Sequence, residues 1–463
     1  MIAPNLSGVE LPDADLWRKF DVPAPRYTSY PTADRFKADV GVSDYEAALA
    51  SRQDGRGLSV YTHIPFCSDV CFYCGCNKVV TRDHTKADEY IDVVLKEAKL
   101  TKQHLVGRKS LSQLHWGGGS PTFLSNEQIE RLLSGIKEEF PFESDGEYSI
   151  EIDARTCPPD KTELLAKLGF NRMSLGIQDF NEEVLKAVNR IQSYELIRDV
   201  MQKARSVGFR SINADLIYGL PKQTRESFAQ TIEKIIELSP DRIALYHYAH
   251  LPNIFKPQRR IIPADIPSAT ERVNIMFDSI RTLTANGYRY IGMDHFAKEG
   301  DELSIAQKEG TIQRNFQGYS TKAECDMIAL GASAISYVGN TYACNPREIE
   351  PYYEAIRSGH LATCRGFCLS NEDVLRRTVI MTIMCRFELV KKEIEETFGI
   401  RFDETFAYEL KRLQAYAKHE LVELTPDRIV VSAKGKMFVR AVAMQFDRYL
   451  RESDRAGVYS KIA

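Results

Sequence analysis

Four cysteines share one short stretch of the chain, and three of them have a spacing that suits metal chemistry. Cys67, Cys71 and Cys74 are separated as C-x3-C-x2-C, and Cys76 follows closely. A loop this tight cannot pair its own thiols without strain, so the spacing favours metal binding over disulfides. A four-thiolate zinc site that includes Cys76 fits the pattern. The alternative is a [4Fe–4S] cube held by three thiolates, whose fourth iron is open to an exogenous ligand.

Downstream, glycines and a carboxylate stand at the ends of apolar runs. Residues 117–120, Gly-Gly-Gly-Ser, allow close approach of a ligand to the backbone, although such a run alone is more typical of a tight turn. Glu151 lies among apolar residues, where a carboxylate needs a cationic or hydroxyl partner. An ion pair with Arg155 or Arg172 is the simpler interpretation of Glu151.

Three other polar residues have simple structural interpretations. Gln178 and Asp215 belong to apolar runs and are suited to cap neighbouring helices. Arg190 is suited to be an exposed cation near a helix end. From the residues alone, these are the expected roles.

The elements that must position these residues alternate between short apolar runs and longer amphipathic stretches. Repeated βα units of this kind predict a parallel sheet with helices outside it. We expect strands to start near residues 59, 111, 147, 171, 211 and 242, with weaker candidates near 288 and 333. A closed barrel has eight strands, so the sequence leaves closure open. If the strands form a barrel, its site residues should lie at or just after their carboxyl ends, which is where the sequence places the cysteine loop, the glycine run and Glu151.

The two ends of the chain have other patterns. Residues 1–50 contain Pro25-Arg-Tyr-Thr-Ser-Tyr-Pro-Thr32, which predicts an extended arm. After about residue 365 the sequence predicts helices, two short strands at Leu421–Glu423 and Arg428–Val431, and a last helix over Ala433–Leu450. We therefore expect an arm (1–50), a catalytic domain (51–365) and a smaller, mostly helical, winged-helix-like domain (366–463).

Composition excludes several classes of protein. Lys and Arg number 61 against 64 Asp and Glu in 463 residues, which argues against a general nucleic-acid binder. No window has the apolar length of a membrane span, and the amino terminus does not resemble a secretion signal, so we expect a cytoplasmic protein. No heptad seam is present, which favours a monomer. Six scattered cysteines are expected to be small buried hydrophobes, and Cys364 and Cys368 have no neighbouring ligands for a second metal.

The cysteine loop resembles that of the radical S-adenosylmethionine superfamily, and longer motifs resemble one of its families, the oxygen-independent coproporphyrinogen III oxidases. The matching segments extend from Arg26 towards the C-terminal region: Tyr61-Thr-His-Ile-Pro-Phe-Cys67, Cys74-Gly-Cys-Asn-Lys78, His115-Trp-Gly-Gly-Gly119, Ser174-Leu-Gly-Ile-Gln-Asp179, Asp215-Leu-Ile-Tyr-Gly-Leu-Pro221, Tyr248-Ala-His-Leu-Pro252, Ile291-Gly-Met-Asp-His-Phe-Ala297 and Arg314-Asn-Phe-Gln-Gly-Tyr319. The resemblance implies an α/β fold with an open, six-stranded (β/α)6 partial TIM barrel.

The same resemblance implies the cofactors and their contacts. Cys67, Cys71 and Cys74 would hold a [4Fe–4S] cluster, and Cys76 would be accessory. One S-adenosylmethionine at the open iron would contact Tyr61, Gly118, Glu151 and Ile335. A second would contact Tyr73, Gly119, Ser120, Gln178, Arg190, Asp215 and Ala249. Tyr73 stands where the family usually has phenylalanine, and Ser120 where it commonly has threonine.

The implied reaction is the oxidative decarboxylation of two propionates of coproporphyrinogen III to vinyl groups, which gives protoporphyrinogen IX. A 5′-deoxyadenosyl radical would abstract hydrogen, with a low-potential electron donor and an electron acceptor as partners. Candidate cations for the propionates are His115, His250, Lys256, Arg259, His295 and Arg314, and the segment with Arg26 would form a lid. The alternative is a haem-trafficking relative, which typically lacks the counterparts of Cys76 and of the Arg26 segment.

Overall fold

A computed structural model describes residues 8–52, 55–107, 109–322, 325–451 and 459–461. The chain divides into two compact units. The first, here the sheet unit, consists of the described residues of Phe36–Ile275 and Glu324–Cys368. The second, the terminal unit, consists of the described residues of Met1–Arg35, Met276–Ala323 and Leu369–Ala463. This division differs from the predicted one (1–50, 51–365, 366–463), because residues 276–323 pack with the two chain ends.

The strands are β1 Leu58–Ile64, β2 Phe66–Cys67, β3 Val79–Val80, β4 Leu111–Gly118, β5 Phe142–Ile152, β6 Arg172–Gln178, β7 Ser211–Tyr218, β8 Arg242–His247, β9 Tyr288–Gly292, β10 His295–Lys298, β11 Gln313–Asn315, β12 Gly318–Ser320, β13 Asp326–Leu330, β14 Ile335–Val338, β15 Thr341–Cys344, β16 Arg365–Cys368, β17 Glu388–Val390, β18 Val422–Leu424 and β19 Arg428–Val431.

The α-helices are α1 Ala14–Phe20, α2 Val42–Ala50, α3 Thr85–His104, α4 Asn126–Glu139, α5 Pro159–Leu168, α6 Glu182–Ala187, α7 Tyr194–Ser206, α8 Arg225–Leu238, α9 Ala269–Ala285, α10 Glu302–Glu309, α11 Ile349–Arg357, α12 Asn371–Arg386, α13 Lys391–Phe398, α14 Phe402–Thr405, α15 Ala407–Ala417, α16 Val439–Ala443 and α17 Arg448–Arg451. Among the described helices, none combines the length and the apolar character that crossing a lipid bilayer requires.

The sheet unit is built on a run of parallel strands in the order β13-β1-β4-β5-β6-β7-β8. The six predicted βα strands are confirmed as β1 and β4 to β8. Strand β13 was not predicted, and it pairs with the free side of β1. The weaker candidates are present but are not parallel strands: β14 is antiparallel to β13, and β9 pairs antiparallel with β10 in the terminal unit.

Burial on both faces explains why these strands read as apolar runs. Strand β13 is buried along its whole length, and the helices between strands present one apolar face to the sheet. Helix α4 shows how such a helix begins: Gln128 donates its backbone N–H to Ser125 Oγ (3.2 Å), and the Gln128 side chain accepts from Ser125 N (3.0 Å). The carboxyl ends of the parallel strands therefore lie along one edge of the sheet.

In the terminal unit, helices α12 to α17 accompany a three-stranded antiparallel sheet in the order β17-β19-β18. This confirms a mostly helical C-terminal region with short strands. The single helix predicted over Ala433–Leu450 is wrong. The region instead contains the short helices α16 and α17, because Asp447 between them has an extended backbone (φ −81°, ψ 104°) and accepts the backbone N–H of Tyr449 (2.9 Å).

Candidate active site

A cavity of about 400 Å³ lies at the carboxyl edge of the sheet unit, within the size range of small-molecule sites. Its lining comes from the loops after β1 and β4 and from β5, β6 and β7. Twelve predicted site residues line it: Cys67, Cys71, Tyr73, Cys74, Cys76, Gly118, Gly119, Ser120, Glu151, Gln178, Arg190 and Asp215. Asp215 lies inside β7, whereas the others lie near the end of a strand or in a loop.

The cysteine loop is closed at its base and tied to the segment that follows α6. Strands β2 and β3 pair in parallel, so Phe66 and Val79 are neighbours where the loop begins and ends. Asn189 Nδ2 donates to Val70 O (2.8 Å), and Phe72 N donates to Val188 O (2.9 Å). These contacts fix the backbone on which the three cysteines stand.

The cysteine thiols do not share one environment. Burial raises the pKa of Cys67 to about 12. A hydrogen bond from Cys76 lowers the pKa of Cys74 to about 6 and raises that of Cys76. Cys71 is 9% exposed, and its Sγ accepts a hydrogen bond from Arg190 Nη1 (3.7 Å). In the described parts of the chain, no three His, Cys, Asp or Glu side chains are arranged to hold a single metal ion.

Glu151 accepts a hydrogen bond from Gly118 N (3.1 Å) and lies 3.4 Å from His115 Nε2. Its side chain is 43% exposed, towards the cavity. Burial raises the pKa of Glu151, but the hydrogen bond and charge of His115 and the Gly118 N–H outweigh it, so the pKa is lowered overall. The carboxylate therefore keeps its charge.

The expected ion pair of Glu151 with Arg155 or Arg172 is wrong. Arg155 Nη2 pairs with Asp153 at 2.6 Å, and Arg172 pairs with Glu147. Each arginine therefore already has a carboxylate closer to it.

Arg190 is buried, which excludes the interpretation as an exposed cation. It is 6% exposed, and its Nη2 donates to Gly176 O (2.6 Å) while Nη1 lies 3.4 Å from Asp153 Oδ2. Burial raises the pKa of Asp153, but Arg190 and Arg155 lower it to about 2. Two guanidinium groups and one carboxylate thus form a charged network beside Cys71.

Gln178 and Asp215 do not cap helices; Asn181 caps α6 and Thr224 caps α8. Gln178 has φ 71°, a left-handed conformation that costs free energy in a residue with a side chain, and its buried Oε1 has no protein partner. Asp215 accepts from Ser174 Oγ (2.6 Å), and burial raises its pKa to about 6. Both side chains therefore offer polar atoms to the cavity.

The three glycines at 117–119 lie so close to neighbouring groups that a side chain at any of them would collide. A Cβ at Gly117 would lie 2.7 Å from Glu151 Oε1, and a Cβ at Gly119 would lie 2.6 Å from Pro65 O. Gly118 has φ 116°, which favours glycine. These residues bring backbone groups to the wall of the cavity.

Three predicted site residues do not line the cavity: Tyr61, Ala249 and Ile335. Tyr61 stacks on His115, with ring centroids 5.9 Å apart, and thus contacts the residue that lies beside Glu151. The carbonyl of Ala249, after β8, accepts from Gln258 Nε2 (3.1 Å). Ile335 begins β14, after the turn that follows β13.

Sequence reasoning missed several lining residues, among them Asp153, Arg155 and Ser174. Asp153 directly follows β5, and this position at the carboxyl end of a strand is the signal in the sequence that could have identified it. Ser174 was quoted within a motif but had no role. Only its hydrogen bond to Asp215, on the neighbouring strand, marks it as part of the site.

The candidate cations for an anionic substrate are spread over both units. In the sheet unit, His115 is held beside Glu151, His250 Nδ1 lies 2.8 Å from Tyr248 Oη, and Lys256 and Arg259 are exposed.

In the terminal unit, Arg26 pairs with Asp294, and Arg314 Nε donates to Arg26 O (3.3 Å). Arg314 also lies 4.8 Å from the centroid of the Tyr319 ring, which His295 contacts edge-on. The arm segment is thus attached to polar residues of its own unit.

The residues of the cavity fit an iron–sulfur cluster with a nucleotide cofactor. Three thiols reach it from one loop, two arginines lie beside the thiol of Cys71, and the glycine run provides a backbone wall. The buried Gln178 Oε1 and Arg190 Nε have no protein partner, which is typical of groups that a ligand satisfies.

Comparisons with known proteins agree with this site. A family model described as the radical SAM superfamily matches residues 61–235, and one described as the HemN C-terminal domain matches residues 369–438. The chain is 46% identical to the oxygen-independent coproporphyrinogen III oxidase of Escherichia coli over 97% of this chain and 98% of that protein. It is also 46% identical to the protein of that name from Pseudomonas aeruginosa, over 96% and 97% of the two chains.

A solved structure of coproporphyrinogen III oxidase (HemN) from Escherichia coli, described as a radical SAM enzyme, superposes with a TM-score of 0.92. It is 45% identical to this chain and covers 96% of this chain and 100% of its own.

Proposed function

This chain belongs to the oxygen-independent coproporphyrinogen III oxidases of the radical SAM superfamily, and we propose that the cavity of the sheet unit is its active site. It is an oxidoreductase that uses a [4Fe–4S] cluster and S-adenosylmethionine. The reaction converts two propionate side chains of coproporphyrinogen III into vinyl groups and gives protoporphyrinogen IX. The zinc and haem-trafficking alternatives are not favoured, since the full-length relatives are oxidases.

Cys67, Cys71 and Cys74 hold the cluster, and Cys76 is accessory, since its thiol donates to Cys74. When bound, the cluster and S-adenosylmethionine supply one-electron cleavage of a sulfonium and a carbon radical that abstracts hydrogen. The loop keeps the three thiols at the cavity wall, because its base is paired and its backbone is tied to the segment after α6. Arg190 and Arg155 place positive charge next to Cys71.

Glu151 binds the S-adenosylmethionine that sits at the cluster. Its carboxylate stays charged and opens to the cavity, so it accepts hydrogen bonds from the cofactor or balances its positive charge. Gly118 donates its backbone N–H to that carboxylate, and Tyr61 stacks on His115. Ile335 follows the end of β13, where an apolar side chain is suited to an adenine ring.

The same cavity has the groups to hold a second S-adenosylmethionine. Gln178, Arg190 and Asp215 would provide polar contacts, since all three line the cavity. Tyr73 would provide an aromatic face, and Gly119 and Ser120 would provide backbone groups and a small side chain. Ala249, which lies after β8 and does not line the cavity, would contact the cofactor only outside this lining. The buried, unpartnered Oε1 of Gln178 is the single observation that most supports a further ligand, because such an atom is costly unless bound.

The proposed reaction requires no general base, because hydrogen would be removed as an atom by the radical. We propose that the enzyme works as a monomer in the cytoplasm, where cluster thiols stay reduced, with a low-potential one-electron donor and an electron acceptor.

The experiment that tests the proposal is an anaerobic assay of the iron-loaded protein with S-adenosylmethionine, dithionite and coproporphyrinogen III. We expect protoporphyrinogen IX together with 5′-deoxyadenosine. Formation of 5′-deoxyadenosine without decarboxylation would contradict oxidase activity. Equilibrium dialysis with labelled S-adenosylmethionine should give two bound molecules per chain for the unaltered protein and one for Gln178→Leu.

A further inference from the structure

One segment beside the cavity exposes an unusual number of large apolar side chains. It is the stretch from Leu251 to Ile262, which follows β8 and is called the docking segment below. Leu251, Ile254 and Ile262 are 42%, 66% and 61% exposed. They are three of only eight exposed large apolar residues in the described part of the chain. Exposed apolar residues that occur together mark binding surfaces more often than isolated ones do.

The docking segment is also basic. Lys256, Arg259 and Arg260 fall within it, and it contains no Asp or Glu. Within the described residues none of the three cations forms an ion pair, whereas many other exposed cations of the chain do, for example Lys186 with Glu182. Positive charge without a carboxylate partner favours a ligand that brings its own carboxylates.

A buried glutamine fastens the docking segment to the cysteine loop. Gln258 is 2% exposed; its Nε2 donates to Tyr73 O (3.0 Å) and to Ala249 O (3.1 Å), and its Oε1 accepts from Leu251 N (2.5 Å). A Cβ at Gly75 would lie 2.9 Å from the Phe255 ring, so this ring packs closely against the backbone of the cysteine loop. Since Tyr73 lines the cavity, the docking segment is attached to a residue of the active site.

We propose that the docking segment binds the tetrapyrrole substrate, a proposal that rests on the proposed function. The exposed side chains of Leu251, Ile254 and Ile262 pack against the apolar ring system. Lys256 and Arg259 bind propionate carboxylates. The substrate is an apolar macrocycle with four carboxylates, and the docking segment has complementary apolar and basic groups and is hydrogen-bonded to the cysteine loop. An acidic protein that delivers electrons is the competing occupant.

The test uses the iron-loaded, full-length protein and the stable oxidised porphyrin coproporphyrin III as the probe. Fluorescence titration measures its affinity for the double variant Lys256→Gln, Arg259→Gln and for Ile254→Ser. We expect the affinity to fall about tenfold for the double variant, because two exposed charge contacts are lost. For Ile254→Ser we expect the affinity to fall about fivefold, because an apolar contact with the macrocycle is lost. The KM for coproporphyrinogen III with dithionite as reductant should rise by similar factors.

Matched controls separate this effect from general damage. Arg198→Gln replaces a partly exposed cation and Val106→Ser an exposed apolar residue outside the docking segment, and both should leave porphyrin affinity unchanged. All variants should retain the iron content and the substrate-free formation of 5′-deoxyadenosine of the unaltered enzyme.

Unchanged porphyrin affinity in both docking-segment variants would overturn the proposal. So would a loss of activity that appears only when an acidic flavoprotein replaces dithionite, because the surface would then serve the electron donor. Product formation by the unaltered enzyme tests the proposed function separately.

Discussion

Glu97 and Glu151 are both carboxylates of the sheet unit, but their surroundings differ. Glu97, on α3, is 3% exposed and accepts from Gly331 N (2.7 Å), Asn345 Nδ2 (2.7 Å) and Tyr352 Oη (2.6 Å). Burial raises its pKa to about 7, and the three hydrogen bonds only partly offset this. Glu151 is 43% exposed to the cavity, and its pKa is lowered, because His115 and a backbone N–H outweigh burial.

The difference separates a structural polar network from a binding one. The three donors around Glu97 all find their acceptor inside the protein, and they join α3 to the turn after β13 and to α11. The cavity around Glu151 contains a charged carboxylate and two buried polar atoms, Gln178 Oε1 and Arg190 Nε, that have no protein partner. Removal of a group should therefore reduce stability in the first region and ligand binding in the second.

The largest effect should come from the cysteine loop. We expect Cys71→Ser to abolish product formation and to lower the iron content, since serine is a poor ligand for iron in a cluster. The matched control is Cys157→Ser, because Cys157 is also buried but donates no ligand to the cavity. Iron analysis and the anaerobic assay check this pair. If both variants lost the same amount of iron, Cys71 could not be distinguished as a cluster ligand from Cys157, a buried packing residue.

Glu97→Ala should lower the free energy of unfolding by about 4 kcal/mol, because it leaves three buried donors without an acceptor. Glu89→Ala, on the same helix, is the control: its ion pair with Arg357 is exposed and should be worth less than about 1 kcal/mol. Urea denaturation measures both variants. A destabilisation by Glu97→Ala no larger than the control's would show that the network does not hold the fold.

Glu151→Gln should weaken binding of S-adenosylmethionine about a hundredfold, since it removes a charged acceptor worth about 2 to 3 kcal/mol. The free energy of unfolding should change by less than about 1 kcal/mol, because the side chain faces the cavity. Equilibrium dialysis and urea denaturation on the same preparation measure the two quantities. A large loss of stability with intact binding would reverse the roles assigned to Glu151 and Glu97.

The raised pKa of Glu97 should make the stability of the protein depend on pH. The pKa of Glu97 is raised in the folded protein, so the folded state binds more protons near neutral pH and the free energy of unfolding falls as pH rises. For a pKa of about 7 in the folded protein, the loss between pH 5 and pH 7 is about 2 kcal/mol. The variant Glu97→Gln should lack this contribution. If the free energy of unfolding changed by the same amount between pH 5 and pH 7 in the unaltered protein and in Glu97→Gln, the assigned pKa shift of Glu97 would be contradicted.

The local pattern of the chain was sufficient to predict β1 and β4 to β8, because each is an apolar run followed by its own amphipathic helix. It was insufficient for β13, which is a run of only five residues with no helix of its own. Asp326, its first residue, is buried and accepts from Arg52 Nε (3.0 Å). The partner that makes this run a strand is β1, which is distant in sequence.

Residue types identified most of the site, because thiols, a glycine run and isolated polar residues near strand ends are visible in the sequence. Arg190 could not be distinguished from a surface cation, since its burial depends on Asp153 and on the Gly176 carbonyl. Gln258 was overlooked because a glutamine gives no chemical signal until its three hydrogen bonds are seen.

The pairing of β13 with β1 joins two segments that are synthesised at different times. Strand β1 emerges from the ribosome early, but its neighbour on one side is complete only at Leu330. Contacts so distant in sequence form late, because the loop must first be closed against its entropy. Until then one edge of the strand that leads into the cysteine loop has no strand paired with it.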